Sequence, residues 1–145
     1  MADLTKELIR SMAKVNYSSL SEVHLLYVED DPEMGDYLKG SLEDYFKEIS
    51  IASNGQDGYE TYQMKNPDII VSDLLMPKMG GLKMTQKIRE TNKNIPIIIT
   101  TAYSDIESLV EAVEAEIIHY LIKPIDMEEL MESIRKSLNI VEGNY

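Results

Sequence analysis

Short apolar runs that alternate with single stretches of helical periodicity constrain this chain more than any other feature. Five such runs lie at residues 25–28, 49–52, 69–71, 97–99 and 118–122; most are rich in β-branched residues and too short for a helix. Each reads as a strand, and the third, Ile69 to Val71, as one buried on both faces. Between them the apolar spacing changes from two to three or four. A first helix opens after Asp31, a good N-cap, with Pro32 at its first position, and repeats Met34, Leu38, Leu42 and Tyr45. A second follows Asn54-Gly55 and carries Tyr59 and Tyr62, and a third starts near Gly81-Leu82 and carries Thr85 and Ile88. The fourth opens at Ser104 and Glu107, in capping-box positions, and continues through Ile106, Leu109, Val110 and Val113. The fifth opens at Asp126 and Glu129, with Ile125 and Leu130 placed as a hydrophobic staple ahead of Met131, Ile134 and Leu138. One helix in each gap predicts parallel βαβ units with right-handed crossovers. The expected fold is α/β, a five-stranded doubly wound sheet over roughly residues 23–140.

Residues 1–20 stand outside that alternation. Leu4, Leu8, Ile9, Met12 and Val15 recur at helical spacing, so an extra amphipathic N-terminal helix with a short linker is expected over 1–20. A domain would follow at 21–142 and a tail at 143–145. Helical spacing alone leaves two readings open, a dimerisation or linker helix, or a terminal segment that lies on its own domain or frays.

Charge and composition exclude several function classes. There are 26 Asp and Glu against 14 Lys and Arg, a formal charge of −12. That balance argues against direct nucleic-acid binding and against an anionic membrane surface, both of which need a basic patch. No apolar run approaches the roughly 20 residues of a membrane span, and the N-terminus lacks a signal-peptide core, so a cytoplasmic protein is expected. With no cysteine there is no thiol nucleophile or zinc-thiolate site. Only His24 and His119 offer imidazole, which gives histidine chemistry little support.

The chemistry that remains sits at strand ends. Asp73 closes the third strand and is followed by the glycine-containing turn Met76-Pro77-Lys78-Met79-Gly80-Gly81. A carboxylate there lies at the carboxyl edge of an open α/β sheet, where ligands bind, although Asp is also a common helix cap. The first strand ends in Glu29-Asp30-Asp31. First and third strands are neighbours in a doubly wound sheet, so Glu29 and Asp30 should sit beside Asp73. Like charges so close are relieved by protonation or by a cation. Three carboxylates without histidine or cysteine suit Mg²⁺, which keeps waters for a phosphate oxygen. Asp31 before Pro32 reads as the cap and stays outside the metal set. The fourth strand ends in Thr100-Thr101, whose side chains point to opposite faces, so at most one faces the pocket. The fifth ends in Lys123-Pro124, with an ammonium able to pair with the acids or with phosphoryl charge. Singly, Thr101 is an ordinary strand threonine and Lys123 an ordinary surface lysine. Together the four strand ends form one pocket.

In these residues the chain resembles the receiver domain of two-component response regulators, over about residues 23–140. The resemblance implies the flavodoxin-like, CheY-like strand order 2-1-3-4-5. It implies Asp73 as phosphoacceptor, Asp30 as a direct Mg²⁺ ligand, Glu29 acting on the metal through water, and the Leu75 backbone carbonyl completing the site. It implies Thr101 and Tyr120 as the switch pair, Ala102 as the small residue after the threonine, and Lys123 as the phosphoryl-binding lysine with Pro124 after a cis bond. For Tyr120 the residues alone equally allow a half-buried core tyrosine. The implied partner is a sensor histidine kinase or a histidine phosphotransfer protein, and the implied output is a change in the surface of the fourth helix, fifth strand and fifth helix (α4-β5-α5 in the family). A homodimer through that surface or through the N-terminal helix is a further expectation. Self-phosphorylation and self-dephosphorylation would be its only reactions; turnover catalysis is not expected.

Two departures stand out. Receivers usually carry Gly-Ala before the fifth strand, where this chain has Glu116-Ile117. Leu75 and Tyr103 occupy the positions two beyond Asp73 and Thr101, where an apolar residue and a bulky aromatic are expected to slow hydrolysis of an acyl phosphate. A haloacid-dehalogenase phosphatase would need a second Asp where Leu75 stands. A phosphorylation-independent pseudo-receiver is the alternative function, but it would normally have lost an acid, the acceptor or the lysine. A nucleotide or flavin fold lacks its glycine-rich phosphate loop. Residues 139–145 are too few for an output domain, which leaves a stand-alone receiver or a fragment of a longer regulator.

Overall fold

Strand composition sorts the molecule into layers. The computed structural model describes residues 17–102, 104–105 and 119–141. Its strands are β1 His24–Val28, β2 Glu48–Ala52, β3 Ile69–Asp73, β4 Ile97–Thr101 and β5 His119–Ile122. Its helices are α1 Pro32–Leu42, α2 Gly55–Lys65, α3 Gly81–Arg89 and α4 Met127–Leu138. The five strands form one parallel sheet in the order β2-β1-β3-β4-β5, as expected. β1, β3 and β4 are buried at every position, whereas the edge strands β2 and β5 keep exposed residues.

The two-residue period divides the core. Leu25, Tyr27, Ile69, Val71 and Ile98 face one side, packed with Leu38 and Leu42 of α1 and Leu130, Ile134 and Leu138 of α4. Leu26, Val28, Ile70, Ile97 and Ile99 face the other, packed with Met84 and Ile88 of α3. α2 approaches β1 closely on that second side. A Cβ on Gly58 would lie 2.8 Å from the Met84 sulfur and 3.0 Å from a Val28 methyl, so a larger residue there requires the Met84 and Val28 side chains to shift.

Two helix starts, at Asp31 and Asp126, follow the expected caps, and the structure adds one at Asn54. Asp31 Oδ1 accepts from the Glu33 and Met34 amides, Asn54 caps α2, and Asp126 Oδ1 accepts from the Glu129 amide. At α4 it is the Asp126 half of the capping box that forms. Two apolar assignments in the first helix are corrected. Met34 and Tyr45 are exposed, at 40% and 55%. The helix ends at Leu42, so Tyr45 falls off the helical stripe and Phe46 enters the core instead. The N-terminal helix expected over 1–20 falls mainly on residues outside those described. Of that stretch, Tyr17 packs against the core, Ser19 and Glu22 form a capping box, and Leu20 is buried. The fourth helical pattern lies outside the described residues beyond Ser104 and Asp105, and so does the turn at Glu116-Ile117.

Candidate phosphoryl-acceptor site

Strand order reverses between β1 and β3, where connections leave to opposite faces and open a crevice at the carboxyl edge. The residues ending β1, β3 and β5 meet in it. Glu29, first after β1, is held by its amide donating to the Ala52 carbonyl at 2.9 Å and is 5% exposed. Asp30 follows in solvent, and Asp31 turns away as the α1 cap. Asp73 ends β3 and is 8% exposed. One carboxylate oxygen from each of Glu29, Asp30 and Asp73 lies within 4.8 Å of the others.

The loop after Asp73 is tied down on both sides. Leu74 donates to the Thr100 carbonyl at 2.9 Å, and Gly81 donates to the Leu74 carbonyl at 2.9 Å. Gly55, at the start of α2, donates to the Met79 carbonyl at 2.7 Å. Lys78 sits in the left-handed region at φ 64°, the one strained backbone position of this loop among the described residues. The loop thus turns away at once and leaves Asp73 open to the crevice.

Lys123 closes the site from β5. Its amide donates to the Thr101 carbonyl at 2.8 Å, and its bond to Pro124 is cis, as the resemblance implied. Its Nζ donates to Asp73 Oδ2 at 2.8 Å and lies 3.7 Å from Glu29 Oε1. Burial alone would lower the Lys123 pKa, but the hydrogen bond and the charges of Asp73, Glu29 and Asp30 outweigh it and hold the ammonium above its ordinary range. Burial pushes the Glu29 carboxyl up to about 7; Lys123 opposes this, and the charge of Asp73 adds to it. A predominantly acidic pocket with one ammonium is therefore short of positive charge. An all-oxygen donor set of three close carboxylates fits a hard divalent cation.

The Glu29 shift carries a stability consequence. Folded protein holds a proton that unfolded chain releases near 4.5, so the metal-free domain should lose stability as pH rises from about 4.5 through about 7. The full shift corresponds to a loss of about 3 kcal/mol. Urea unfolding across that range checks it: Glu29→Gln should flatten the slope, and added Mg²⁺ should offset the loss at pH 8.

Thr101 is 1% exposed, and its hydroxyl donates to the Ala102 carbonyl at 3.3 Å. Thr100, its neighbour, is the register partner of Asp73. Ala102 is half-buried and Pro124 exposed. Tyr120 is 49% exposed, so it stands outward and is no core tyrosine. Leu75, two residues beyond Asp73, is 59% exposed, and Tyr103 lies outside the described residues. One residue escaped the sequence reading. Tyr27, near the end of β1 and two residues before Glu29, is buried, and its phenol pKa is raised by burial and by the Glu29 and Asp73 charges. Its signal was the strand alternation, which equally marks any core residue.

This geometry has known relatives. The chain matches the response regulator receiver domain over residues 25–135. It is 33% identical over 117 residues to the transcriptional regulatory protein ZraR of Salmonella typhimurium, covering 81% of this chain and 26% of that protein. It is 33% identical over 126 residues to the transcriptional regulatory protein CusR of Escherichia coli K12, covering 83% of this chain and 56% of that protein. The chain therefore spans from about a quarter to just over half of these curated relatives. Among solved structures, it superposes with a TM-score of 0.76 on the CheY-like response regulator receiver domain protein from Methanospirillum hungatei JF-1, at 26% identity, covering 82% of this chain and 95% of that one. No helix among the described residues is long and apolar enough to cross a membrane. The chain belongs to the receiver domains of two-component response regulators, signalling modules that take their signal from histidine kinases or phosphotransfer proteins and are not turnover enzymes.

Proposed function

We propose that Asp73 is the phosphoacceptor, that Mg²⁺ supports the transfer, and that the donor is a phosphohistidine on a sensor kinase or phosphotransfer protein. The observation that carries this reading is the Lys123 ammonium 2.8 Å from Asp73 Oδ2, beside three carboxylates clustered within 4.8 Å. An Asp73 oxygen attacks phosphorus in line. The bond from phosphorus to the donor breaks, the donor leaves with the electron pair, and a mixed carboxylic-phosphoric anhydride remains on Asp73. Lys123 moves from pairing with Asp73 to pairing with a phosphoryl oxygen, which spreads the charge of a loose transition state. Mg²⁺ held by Asp30, Asp73 and the Leu75 carbonyl, with Glu29 acting through water, would supply the positive charge that the acidic pocket lacks and orient the phosphoryl oxygens.

Thr101 and Tyr120 are the switch in this reading. The new charge draws the Thr101 hydroxyl from the Ala102 carbonyl, and the exposed Tyr120 ring turns inward to fill the space. The surface of β5 and its flanking helices changes with it and signals to an output domain or partner, with dimerisation there a further readout. The 21–142 boundary and a cytoplasmic location belong to the same reading. Its complete set of acids and lysine disfavours the pseudo-receiver alternative. After incubation with acetyl phosphate and Mg²⁺, neutral hydroxylamine should release the label; a label that survives lies on a hydroxyl and contradicts the reading.

Leu75, exposed beside Asp73, leaves no polar group to guide water to the anhydride. Leu75→Asn/Tyr103→Glu is expected to shorten the phosphoprotein's half-life several-fold. Equal decay of the two proteins, followed by phosphate release, would remove these side chains from the account.

A further inference from the structure

Charge is spread unevenly along this chain. Residues 74–96 hold five of its fourteen basic residues and one of its twenty-six acids, Glu90. That stretch is α3 with its two flanking loops. Arg89 is buried and donates to the Asn92 and Ile95 carbonyls, so it serves the turn into β4. Lys78, Lys83 and Lys93 are exposed and Lys87 half-buried. None of the four is paired with a carboxylate among the described residues.

Lys83 and Lys87 are one turn apart and share a face of α3. Lys87 Nζ leans across to α2 and stands 4.6 Å from the centroid of the Tyr59 ring. Tyr59 stacks on Tyr62 with centroids 6.2 Å apart, and both rings are only partly buried. Exposed lysines are most often merely solvated. Here they lie without acid partners among the described residues, with Lys87 over a partly buried tyrosine ring, in a chain of charge −12.

We propose that the seam between α2 and α3, built from Tyr59, Tyr62, Lys83 and Lys87 with Lys78 at its end, docks an acidic segment of a partner protein that also carries an aromatic side chain. Charge complementarity selects the acid, and the stacked tyrosines give the aromatic group a face to cover. A nucleic acid fits less well. Its charge runs past three lysines towards acids next to them in the chain, Glu60 after Tyr59 and Glu90 three residues beyond Lys87, whose field opposes it. A short acidic peptide segment can stop at the patch edge. The contact does not depend on chemistry at Asp73.

The test titrates the full isotope-labelled chain with a short glutamate-rich peptide holding one central tyrosine, read by amide shifts. Shifts should cluster at Tyr59, Tyr62, Lys83 and Lys87, fade with salt, and persist in Asp73→Asn. Lys83→Gln/Lys87→Gln should bind about tenfold more weakly, while Lys39→Gln/Lys47→Gln, outside the seam, should bind as before. Absent or displaced shifts, or equal loss in both double variants, would overturn the proposal. So would an equally charged single-stranded DNA binding there as tightly, or the same shifts arising from raised protein concentration alone.

Discussion

Alanine in place of Lys123 is expected to slow phosphorylation by small phosphodonors by about 10²-fold. The ammonium is the one cation placed on Asp73, at 2.8 Å, and lies 3.7 Å from Glu29, among the described residues. Without it, two nearly buried carboxylates face each other with no fixed positive charge, and the departing phosphoryl group loses its side-chain clamp. Glu29 also loses the influence that opposes its proton uptake, so the variant should take up a proton at higher pH than wild type. Lys123→Arg keeps the charge but replaces a compact ammonium with a planar fork, and should fall between the two. Initial rates by intact mass at saturating Mg²⁺ measure all three. Equal rates for wild type and alanine would show that the lysine is a bystander.

The second large effect is structural and acts on the backbone of Asp73 itself. Gly81→Ala should destabilise the domain by about 3 kcal/mol. The added Cβ would lie 2.3 Å from the Asp73 carbonyl oxygen and 3.0 Å from Ser72 Oγ, so either α3 or the end of β3 must move. Its φ is not in the left-handed region, so the demand is for space and not for conformation. Gly40→Ala is the matched control. Nothing lies within 4 Å of its Cβ position in α1, and it should gain about 0.7 kcal/mol from helix propensity alone. Urea unfolding of the pair separates close approach from backbone entropy; similar midpoint shifts in both would contradict the packing account.

Much of this site is legible in the sequence because parallel strands write their position into it. Buried apolar runs, β-branched in β3 and β4, mark the three inner strands, and the polar residue at the end of each run marks the carboxyl edge. Glu29, Asp73 and Lys123 are legible in that way, being first or last at a strand end. The caps at Asp31 and Asp126 are legible because each acts within its own turn.

What depends on distant partners is not. Met34 and Leu38 look alike in an apolar stripe, and only the helix's seating on β1 and β2 sends one to solvent and the other to the core. The Tyr17 hydroxyl bonds to Asp68, whose other oxygen accepts the His24 amide at 2.8 Å, and nothing local foretells a link across fifty residues. The Gly55–Met79 bond that steadies the acceptor loop is of the same kind. Tyr120 shows a different limit. A strand tyrosine near an edge can point in or out, and its outward position here is one conformation of a residue that the proposed mechanism requires to have two.

That Asp73 is the nucleophile is tested most directly by intact mass spectrometry. Wild type incubated with acetyl phosphate and Mg²⁺ should gain the mass of one phosphoryl group, and lose that gain when EDTA is present. Asp73→Asn, which keeps the shape of the side chain but not its nucleophilic oxygen, should gain nothing under the same conditions. An unmodified wild type, or a mutant labelled to the same extent, would contradict the account.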